Sequence, residues 1–417
     1  MEANMEFFNE LMWRDLVKDT TDQDALINRL KKPIVLYCGF DPTADSLHIG
    51  HLQQLLLLKR FYEQGHSVIA LIGGATGMIG DPRPTSERSL TSLEEISNNV
   101  IAIKKQIQHV LGQSDRIKVL NNYDWLSQFN VLTFLRDYGK HFNVNTMIAK
   151  DIVASRLSSG ISYTEFSYTI LQAADWYHLH QNYQCELQIG GSDQWGNLTS
   201  GTELIRKMND QPVQVFGMTS PLIMKSDGSK FGKSEGKNIW LDPDKTNPYA
   251  FYQYWINVAD EDIVGYLKRL SFKTKQEIDS LIHKVETQPH LREAQIALAK
   301  ELTTLVYSEE AMEMAVSISD ILFSMQFEKL TKSEFEMAFE DAPTIDLKNE
   351  TPIIAALTAA QLISSNRQAR ELIKNGAISV NNVKVNDIDF IIKKDDAYHQ
   401  KYAIIKKGKK NFVVGVF

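Results

Sequence analysis

The sequence predicts an α/β protein in which a parallel-sheet domain is followed by an all-helical domain and a small α+β domain. Buried apolar runs alternate with helical patterns through residues 1–222, which is typical of a parallel sheet covered by helices. From Pro248 to about residue 323 the pattern is helical and contains no strand. The last segment, 351–417, combines one helix with a strand and an alternating basic hairpin.

The composition is that of an ordinary globular protein. The chain has 417 residues, enough for roughly three domains, with 43% apolar and 23% charged residues. It has no run of about 18 apolar residues, and its acidic start lacks the order of a signal peptide. The two cysteines, Cys38 and Cys185, leave no disulfide framework or four-thiolate metal site. We therefore expect a cytoplasmic protein that does not bind a membrane.

The net charge of −7 is unevenly spread along the chain. Segment 351–417 holds 11 Lys and Arg against 5 Asp and Glu, whereas the remainder holds 34 against 47. A basic tail on an acidic body is expected when one segment contacts a polyanion such as RNA.

The most informative stretch is a polar turn between a predicted strand at 34–40 and a predicted helix at 52–64. The unpaired N–H groups of the first helical turn suit an anionic ligand such as a nucleotide phosphate. His48 and His51 lie on one face of this helix start, and Thr43 adds a hydroxyl. An isolated histidine pair is more often helix surface. Its position at the carboxyl end of a strand favours a role in stabilising charge on phosphate oxygens.

Asp81 belongs to the same predicted sheet edge as Thr43. A second buried strand at 67–72 ends in a glycine-rich loop that closes at Asp81. The glycine spacing fits neither common nucleotide fingerprint, so by itself the loop indicates only close backbone packing. Residues 91–160 are predicted to be mostly helical, with a further strand at 117–120.

A polar stripe follows on the next predicted helix. Ser162 and Glu165 form a capping-box pattern at its start. Tyr168, Gln172 and Asp175 then recur at i, i+4 and i+7 and share one face. Such a stripe is more often a solvated surface, but this one lacks Lys and Glu and offers groups suited to a polar small molecule.

Two later segments have open interpretations. After a strand at 185–189, Asp193 can cap the following helix and also accept a hydrogen bond from a ribose hydroxyl; the alternative is that it only caps the helix. The loop at 225–237 is rich in Gly, Ser and Lys, and its Lys230 and Lys233 are either solvated or close over phosphates.

Two motifs, in this order, resemble the signatures of class I aminoacyl-tRNA synthetases: His48-Ile49-Gly50-His51 and Lys230-Phe231-Gly232-Lys233-Ser234. Together with the stretches at 37–43, 160–166, 190–197 and 252–257, the chain resembles the bacterial tyrosyl-tRNA synthetases over nearly its whole length. The resemblance implies a Rossmann-like catalytic domain at 1–222 with a dimer-forming insertion at about 120–165, a mobile lysine-rich loop and linker at 223–245, a helical anticodon-binding domain at 246–330, a linker at 331–350, and an S4-like RNA-binding domain at 351–417.

The activity implied by the resemblance has two steps. L-Tyrosine and ATP give tyrosyl-adenylate and pyrophosphate, and the tyrosyl group then passes to the 3′ end of tRNA(Tyr). ATP is therefore the expected substrate, with Mg²⁺ accompanying it and no cluster of protein ligands visible for the metal. A homodimer is also implied.

The resemblance assigns a role to each residue that matches a family motif. Catalysis would rest on Thr43, His48, His51, Lys230 and Lys233. Tyrosine would be held by Tyr37 and Asp175 at its phenol, by Asp81, Tyr168 and Gln172 at its ammonium group, and by Gln194 near its carboxylate. ATP would contact Cys38, Gly39, Asp41, Gly50, Gly191 and Asp193 together with Lys230, Phe231, Gly232, Lys233 and Ser234. RNA would contact Arg367, Arg370, Lys406, Lys407, Lys409 and Lys410.

The sequence departs from the family pattern after Asp81. The family often carries a mobile lysine there, which this chain lacks, and Arg83 or Arg88 stands as the replacement. Three rival functions also stay open: a nucleotidyltransferase without an RNA step, a tryptophan-activating enzyme, and an RNA-binding protein with a vestigial catalytic body. The basic tail argues against a nucleotidyltransferase without an RNA step. Asp175, as a partner for a phenol, argues against tryptophan activation. The intact motifs argue against a vestigial catalytic body.

Overall fold

The chain forms two compact units in a computed structural model that describes residues 2–82, 91–226, 231–234, 237–408 and 411–417. The first unit comprises Met1–Thr246 and Tyr254–Tyr307, and the second comprises Asn247–Gln253 and Ser308–Phe417. None of the described helices is both long and apolar enough to cross a bilayer.

A six-stranded sheet forms the centre of the first unit. Its strands are β1 Asp19–Thr20, β2 Val35–Phe40, β3 Ser67–Ile72, β4 Ile117–Asn121, β5 Cys185–Gly191 and β6 Phe216–Ser220. The spatial order is β1-β6-β5-β2-β3-β4, and all neighbours are parallel except β1, which runs antiparallel to β6. The predicted parallel sheet is thus confirmed. Strand β6 was not predicted, because its small and hydroxyl-bearing residues lack a continuous apolar run.

The strand order reverses at β2. From this strand the chain moves to β3 and β4 on one side, and later to β5 and β6 on the other side. In such a sheet a crevice opens outside the carboxyl ends of the two strands that flank the reversal, here β2 and β5.

Helices cover the sheet and bury its apolar side chains. They are α1 Glu2–Trp13, α2 Gln23–Arg29, α3 Ile49–Glu63, α4 Thr76–Ile79, α5 Leu93–Leu111, α6 Tyr123–Leu126, α7 Val131–Thr133, α8 Val144–Ile148, α9 Asp151–Arg156, α10 Tyr163–Tyr183 and α11 Trp195–Met208, with a π-helical segment at Phe134–Tyr138. Helix α3 begins three residues before its predicted start, because His48 already caps it.

Two buried arginines join the following helices to the sheet unit. These helices are α13 Asp260–Leu270, α14 Lys275–Thr287 and α15 Glu293–Val306; helix α12, Pro248–Ile256, precedes them and is divided between the two units. Arg14 donates to the carbonyl oxygens of Ser271 at 2.8 Å and Lys273 at 2.7 Å. Arg60, on α3, stacks its guanidinium 4.2 Å from the Phe272 ring. Because of these contacts, residues 254–307 fold with the sheet, whereas a separate helical domain had been predicted at 246–330.

The second unit is an α+β fold. Its helices are α16 Glu309–Ser324, α17 Lys332–Ala338, α18 Ile353–Ala359 and α19 Asn366–Lys374, and its strands are β9 Thr344–Asp346, β10 Glu350–Pro352, β11 Ile378–Val380, β12 Val383–Lys384, β13 Ile391–Lys393, β14 Tyr402–Lys407 and β15 Asn411–Val416. Five strands form a sheet in the order β12-β11-β14-β15-β9. Segment 331–350, predicted as a linker with some helix, contains helix α17 and strand β9. Buried Phe335 of α17 stacks on Tyr402, with ring centroids 4.9 Å apart.

Candidate active site

One cleft gathers most of the side chains that the sequence singled out. It has a volume of about 380 Å³ and lies outside the carboxyl ends of β2 and β5. The predicted site residues that line it are Tyr37, Cys38, Gly39, Asp41, Thr43, His48, His51, Asp81, Tyr168, Gln172, Asp175, Gly191, Asp193 and Gln194.

One group of cleft residues surrounds the buried carboxylate of Asp175, on α10. Asn122 donates through Nδ2 to Oδ2 at 2.9 Å, and Trp125 donates through Nε1 to Oδ1 at 2.8 Å. The buried Tyr37 hydroxyl has no hydrogen-bond partner among the described residues. Burial raises the pKa of Asp175 to about 7, although both N–H donors act to lower it. A fixed carboxylate and an unsatisfied phenol together can bind a ligand hydroxyl.

Sequence reasoning assigned no role to Asn122 or Trp125. Both follow β4, whose carboxyl end lies at the same sheet edge as β3, so their position after a predicted strand was a usable signal. The Trp125 ring is held by stacking on His178, with centroids 4.2 Å apart. Gln54 also lines the cleft without an assigned role, and its Nε2 donates to Ser220 Oγ at 2.7 Å.

A second group concentrates negative charge. Asp81 accepts from Gln194 Nε2 at 2.8 Å, and burial raises the pKa of Asp81 to about 6. Asp41 accepts from the Tyr168 hydroxyl at 2.9 Å and from Thr76 Oγ1 at 3.0 Å. Both carboxylates line the cleft, and the charge of Asp41 acts to raise the pKa of Asp81. Such a pair favours a cation, and an ammonium group would satisfy it.

The turn after β5 forms a further part of the cleft wall. A Cβ atom at Gly191 would lie 2.6 Å from Asp193 Oδ1 and 2.9 Å from Leu222 Cδ2, so a side chain at this position would displace both neighbours. The capping interpretation of Asp193 is wrong, because the N-cap of α11 is Gln194 and makes no side-chain cap bond. The Asp193 carboxylate instead lines the cleft.

The histidine pair begins α3. Gly50 N–H donates to His48 Nδ1 at 3.0 Å, and His48 N–H donates to His51 Nδ1 at 3.3 Å. Burial, with the adjacent His48 ring, lowers the pKa of His51 to about 3, so this ring is neutral. Since each Nδ1 atom accepts a hydrogen bond, a neutral ring carries its hydrogen on Nε2. The pair therefore presents N–H donors beside the positive end of a helix, which suits phosphate oxygens.

Gly50 makes the position of the His48 ring possible. A Cβ atom at Gly50 would lie 2.7 Å from Cε1 and 2.8 Å from Nδ1 of His48. Gly50 was predicted to contact ATP, but it is exposed and is not among the residues that line the cleft.

The lysine-rich segment is bonded to the histidine turn at its base. Strand β7, Lys233–Ser234, pairs with β8, Lys237–Asn238. Ile239 N–H donates to Gly232 O at 3.0 Å, and Ile49 N–H donates to Ile239 O at 3.0 Å. The predicted Lys230 lies outside the described residues, and for Lys233 and Ser234 the structure describes the backbone strand alone. The predicted alternatives Arg83 and Arg88 also lie outside the described residues.

Phe231 was expected to contact ATP. Its ring instead packs in an aromatic cluster with Tyr254, Trp255 and Tyr266, at 5.1 Å from the Tyr266 centroid, and it is not among the cleft-lining residues. Its packing anchors the lysine-rich segment rather than forming the nucleotide surface.

The predicted RNA-binding residues lie in the second unit. Arg367 and Arg370 are exposed on α19, and Lys406 and Lys407 are half-buried on β14. Lys407 Nζ donates to the Leu362 carbonyl at 2.7 Å, so this lysine also has a structural bond. Lys409 and Lys410 lie outside the described residues.

Comparison with known proteins identifies both parts of the chain. Residues 28–324 match the family described as tRNA synthetases class I (W and Y), and residues 334–414 match the tyrosine–tRNA ligase SYY-like C-terminal domain. Tyrosine–tRNA ligase 2 of Bacillus cereus is 50% identical over 413 residues, which are 98% of this chain and 99% of the relative. Tyrosine–tRNA ligase of Bacillus pumilus is 49% identical over 415 residues, 98% of each chain.

A solved structure agrees with these sequence matches. A C-terminally truncated Aspergillus nidulans mitochondrial tyrosyl-tRNA synthetase superposes with a TM-score of 0.69 at 28% identity, covering 76% of this chain and 94% of that chain.

The raised pKa of Asp175 makes stability depend on pH. The folded chain holds this proton up to about pH 7, whereas an unfolded Asp loses it near pH 4. This carboxyl group therefore contributes fully to the free energy of unfolding below about pH 4, and the contribution is lost as the pH rises to 7. We expect the melting temperature of the ligand-free Asp175→Asn variant to fall less between pH 5 and 8 than that of the wild type. Exposed Asp210→Asn should keep the wild-type slope, and an unaltered slope in Asp175→Asn would refute the assignment.

Proposed function

The chain belongs to the class I tRNA synthetases and, within them, to the tyrosine–tRNA ligases, and from this membership we propose how its cleft carries out their reaction. The enzyme activates L-tyrosine with ATP and then transfers the tyrosyl group to tRNA(Tyr). The observation that carries the residue assignment is the buried Asp175, fixed by two N–H donors beside the unsatisfied Tyr37 hydroxyl.

In the first step an oxygen of the tyrosine carboxylate attacks the α-phosphorus of ATP. The bond to the β-phosphate oxygen breaks, and pyrophosphate leaves with that electron pair. The nucleophile is already an anion, so no general base is required. The protein has to hold the reacting groups in line and stabilise the charge that develops on the phosphates.

Tyrosine would lie between the group of residues around Asp175 and the group that contains Asp81 and Asp41. Its phenol hydroxyl would bond to Asp175 and Tyr37, because both groups are buried and face the cleft. Its ammonium group would bind beside Asp81, Tyr168 and Gln172, where the paired carboxylates favour a cation. Gln194 would lie near the tyrosine carboxylate.

ATP would place its phosphates at the start of α3. Thr43, His48 and His51 would donate to the phosphate oxygens, and Lys230 and Lys233 would approach from the segment bonded to this turn. Mg²⁺ would accompany the ATP phosphates, and we assign it no protein ligand. Ribose contacts would come from Cys38, Gly191 and Asp193, with Gly39 and Asp41 beside the adenylate.

In the second step a hydroxyl at the 3′ end of tRNA attacks the carbonyl carbon of the adenylate, and AMP leaves. We propose that the basic segment 351–417, an S4-like domain, binds the tRNA through residues that include Arg367 and Arg370. Their exposure on α19 supports this role. We also propose a cytoplasmic location, because the chain is similar over nearly its whole length to tyrosine–tRNA ligases of bacteria.

We also propose that the enzyme is a homodimer joined through the insertion at about 120–165. Large apolar side chains are unusually exposed there, at 71% for Val131, 79% for Leu132, 57% for Val144 and 68% for Tyr163. Such a concentration of exposed apolar groups is typical of a protein interface.

Asp175→Ala should remove most of the discrimination between tyrosine and phenylalanine in adenylate formation. In the wild type a bound phenylalanine leaves buried polar groups unpaired, and this family is itself the known illustration of the effect, at about 10⁵-fold. The size is taken from that illustration, and the direction follows from the geometry of Asp175 and Tyr37. The measurement is kcat/KM for ATP–pyrophosphate exchange with each amino acid.

Asp193→Ala is the matched control for this experiment. It removes a cleft carboxylate on the ribose side, so it should lower exchange with both amino acids equally and leave their ratio unchanged. An Asp175→Ala enzyme that still rejects phenylalanine would show that Asp175 does not bind the phenol.

Leu132→Asp should convert the dimer to monomers, because it buries a charge in the proposed interface. Sedimentation equilibrium would measure the mass of each species. Leu291→Asp, at a leucine that is 44% exposed outside the insertion, should remain dimeric. A monomeric wild type or a dimeric Leu132→Asp variant would contradict the proposed interface.

A further inference from the structure

The ring of His48 packs on a second aromatic side chain besides His51, the indole of Trp240. The ring centroids of His48 and Trp240 are 6.1 Å apart and the planes meet at 65°, an edge-to-face arrangement that aromatic pairs prefer. Trp240 is half-buried and is not among the residues that line the cleft. Neither the sequence motifs nor the proposed reaction gives it a role, so its contact with a catalytic side chain calls for an explanation other than ligand binding.

The backbone holds Trp240 opposite the histidine. His48 and Trp240 face each other in an isolated antiparallel bridge. The next residue continues this pairing, because Leu241 N–H donates to the Leu47 carbonyl at 2.8 Å. Trp240 N–H donates to Thr246 Oγ1 at 2.9 Å. The position of the indole relative to the histidine turn is therefore set by backbone bonds and does not depend on side-chain packing alone.

A lysine also contacts the indole. Lys245 Nζ lies 5.4 Å from the centroid of the Trp240 ring and 2.6 Å from Asp45 Oδ1. A cation over the face of an indole is attracted by the negative potential of that face. Asp45 belongs to the polar turn between β2 and α3, the same turn that carries His48. The ion pair and the cation–π contact thus join the indole to this turn a second time.

Packing is needed to orient the His48 ring. The hydrogen bond from Gly50 N–H determines which ring nitrogen carries the hydrogen, but it does not by itself fix the tilt of a half-buried ring. A donor that stabilises charge in the transition state has to be held within about 0.5 Å of the productive geometry by the packing of its neighbours. The indole of Trp240 supplies such packing.

We propose that Trp240 is a positioning residue, which holds the His48 ring so that its Nε2 donor points at the phosphate oxygens of ATP during tyrosyl-adenylate formation. This inference rests on the proposed function, in which His48 donates to those oxygens. Trp240 follows the lysine-rich segment in the chain, so the pairing of that segment with the histidine turn then also serves the chemistry. The alternative is a contact that only stabilises the fold, and a double-mutant cycle separates the two roles.

Trp240→Leu should lower the rate of tyrosyl-adenylate formation in a single turnover by about 10²-fold, the cost of misplacing a group in the site by about 1 Å. Trp240→Phe keeps an aromatic ring and should restore most of the rate. Tyrosine affinity, measured by equilibrium dialysis, should be unchanged in both variants, because Trp240 does not line the cleft. Trp13→Leu is the matched control: its ring also carries a lysine, Lys268 at 5.6 Å, but lies outside the cleft lining, so this variant should react like the wild type.

The His48→Ala background tests whether Trp240 acts through this histidine. In that background Trp240→Leu should cause no further loss of rate, because no ring remains to be positioned. A role in stability alone would instead lower the rate by the same factor with or without the histidine. If melting curves show that Trp240→Leu does not fold, Trp240→Met, which keeps more of the side-chain volume without a ring, takes its place in the same cycle.

A wild-type rate in a folded Trp240→Leu or Trp240→Met variant would overturn the inference. So would losses that multiply when either substitution is combined with His48→Ala. A wild-type enzyme without tyrosine-dependent ATP–pyrophosphate exchange would refute the proposed function instead, so the two failures are distinguishable.

Discussion

The hydrogen bonds between the histidine rings and the backbone at the start of α3 are the constraint on which the rest of the site depends. Each Nδ1 atom accepts a backbone N–H, which leaves Nε2 as a donor on a neutral ring. The same turn is bonded to the segment that carries the lysine motif. One capping arrangement therefore begins the helix, orients two donors and anchors a loop.

The two parts of the cleft use opposite electrostatics. At the helix start, burial keeps His51 uncharged, so the site offers donors without a buried cation. At Asp175 and Asp81, burial raises the pKa values of carboxyl groups that the proposed substrate would satisfy. Without a ligand, the burial of these carboxyl groups lowers the stability of the fold. Binding sites commonly reduce stability in this way. The reversal of strand order at β2 brings both parts into one cleft.

Local spacing accounts for what the sequence predicted well. Tyr168, Gln172 and Asp175 share a face because helix geometry fixes their directions. His48 lies before the first helical residue, and its ring centroid lies 4.1 Å from that of His51 beside the hydrogen bonds of the cap. Asn122 and Trp125, the donors to Asp175, follow a predicted strand, which placed them at the sheet edge, but their contact with Asp175 depends on the pairing of β4 with β3 and on the packing of α10. Within the segment 331–350, predicted as a linker with some helix, the strand β9 was not predicted, since it forms by pairing with the distant β15.

The rate of tyrosyl-adenylate formation in a single turnover of Gly50→Ala tests this account most directly. The added methyl group would lie 2.7 Å from the His48 ring and must displace it. We predict a fall in the rate of about 10²- to 10³-fold, the effect of losing one such donor, with tyrosine affinity unchanged. Gly265→Ala, where the new Cβ meets nothing within 4 Å, should react like the wild type. A wild-type rate in Gly50→Ala would contradict the account.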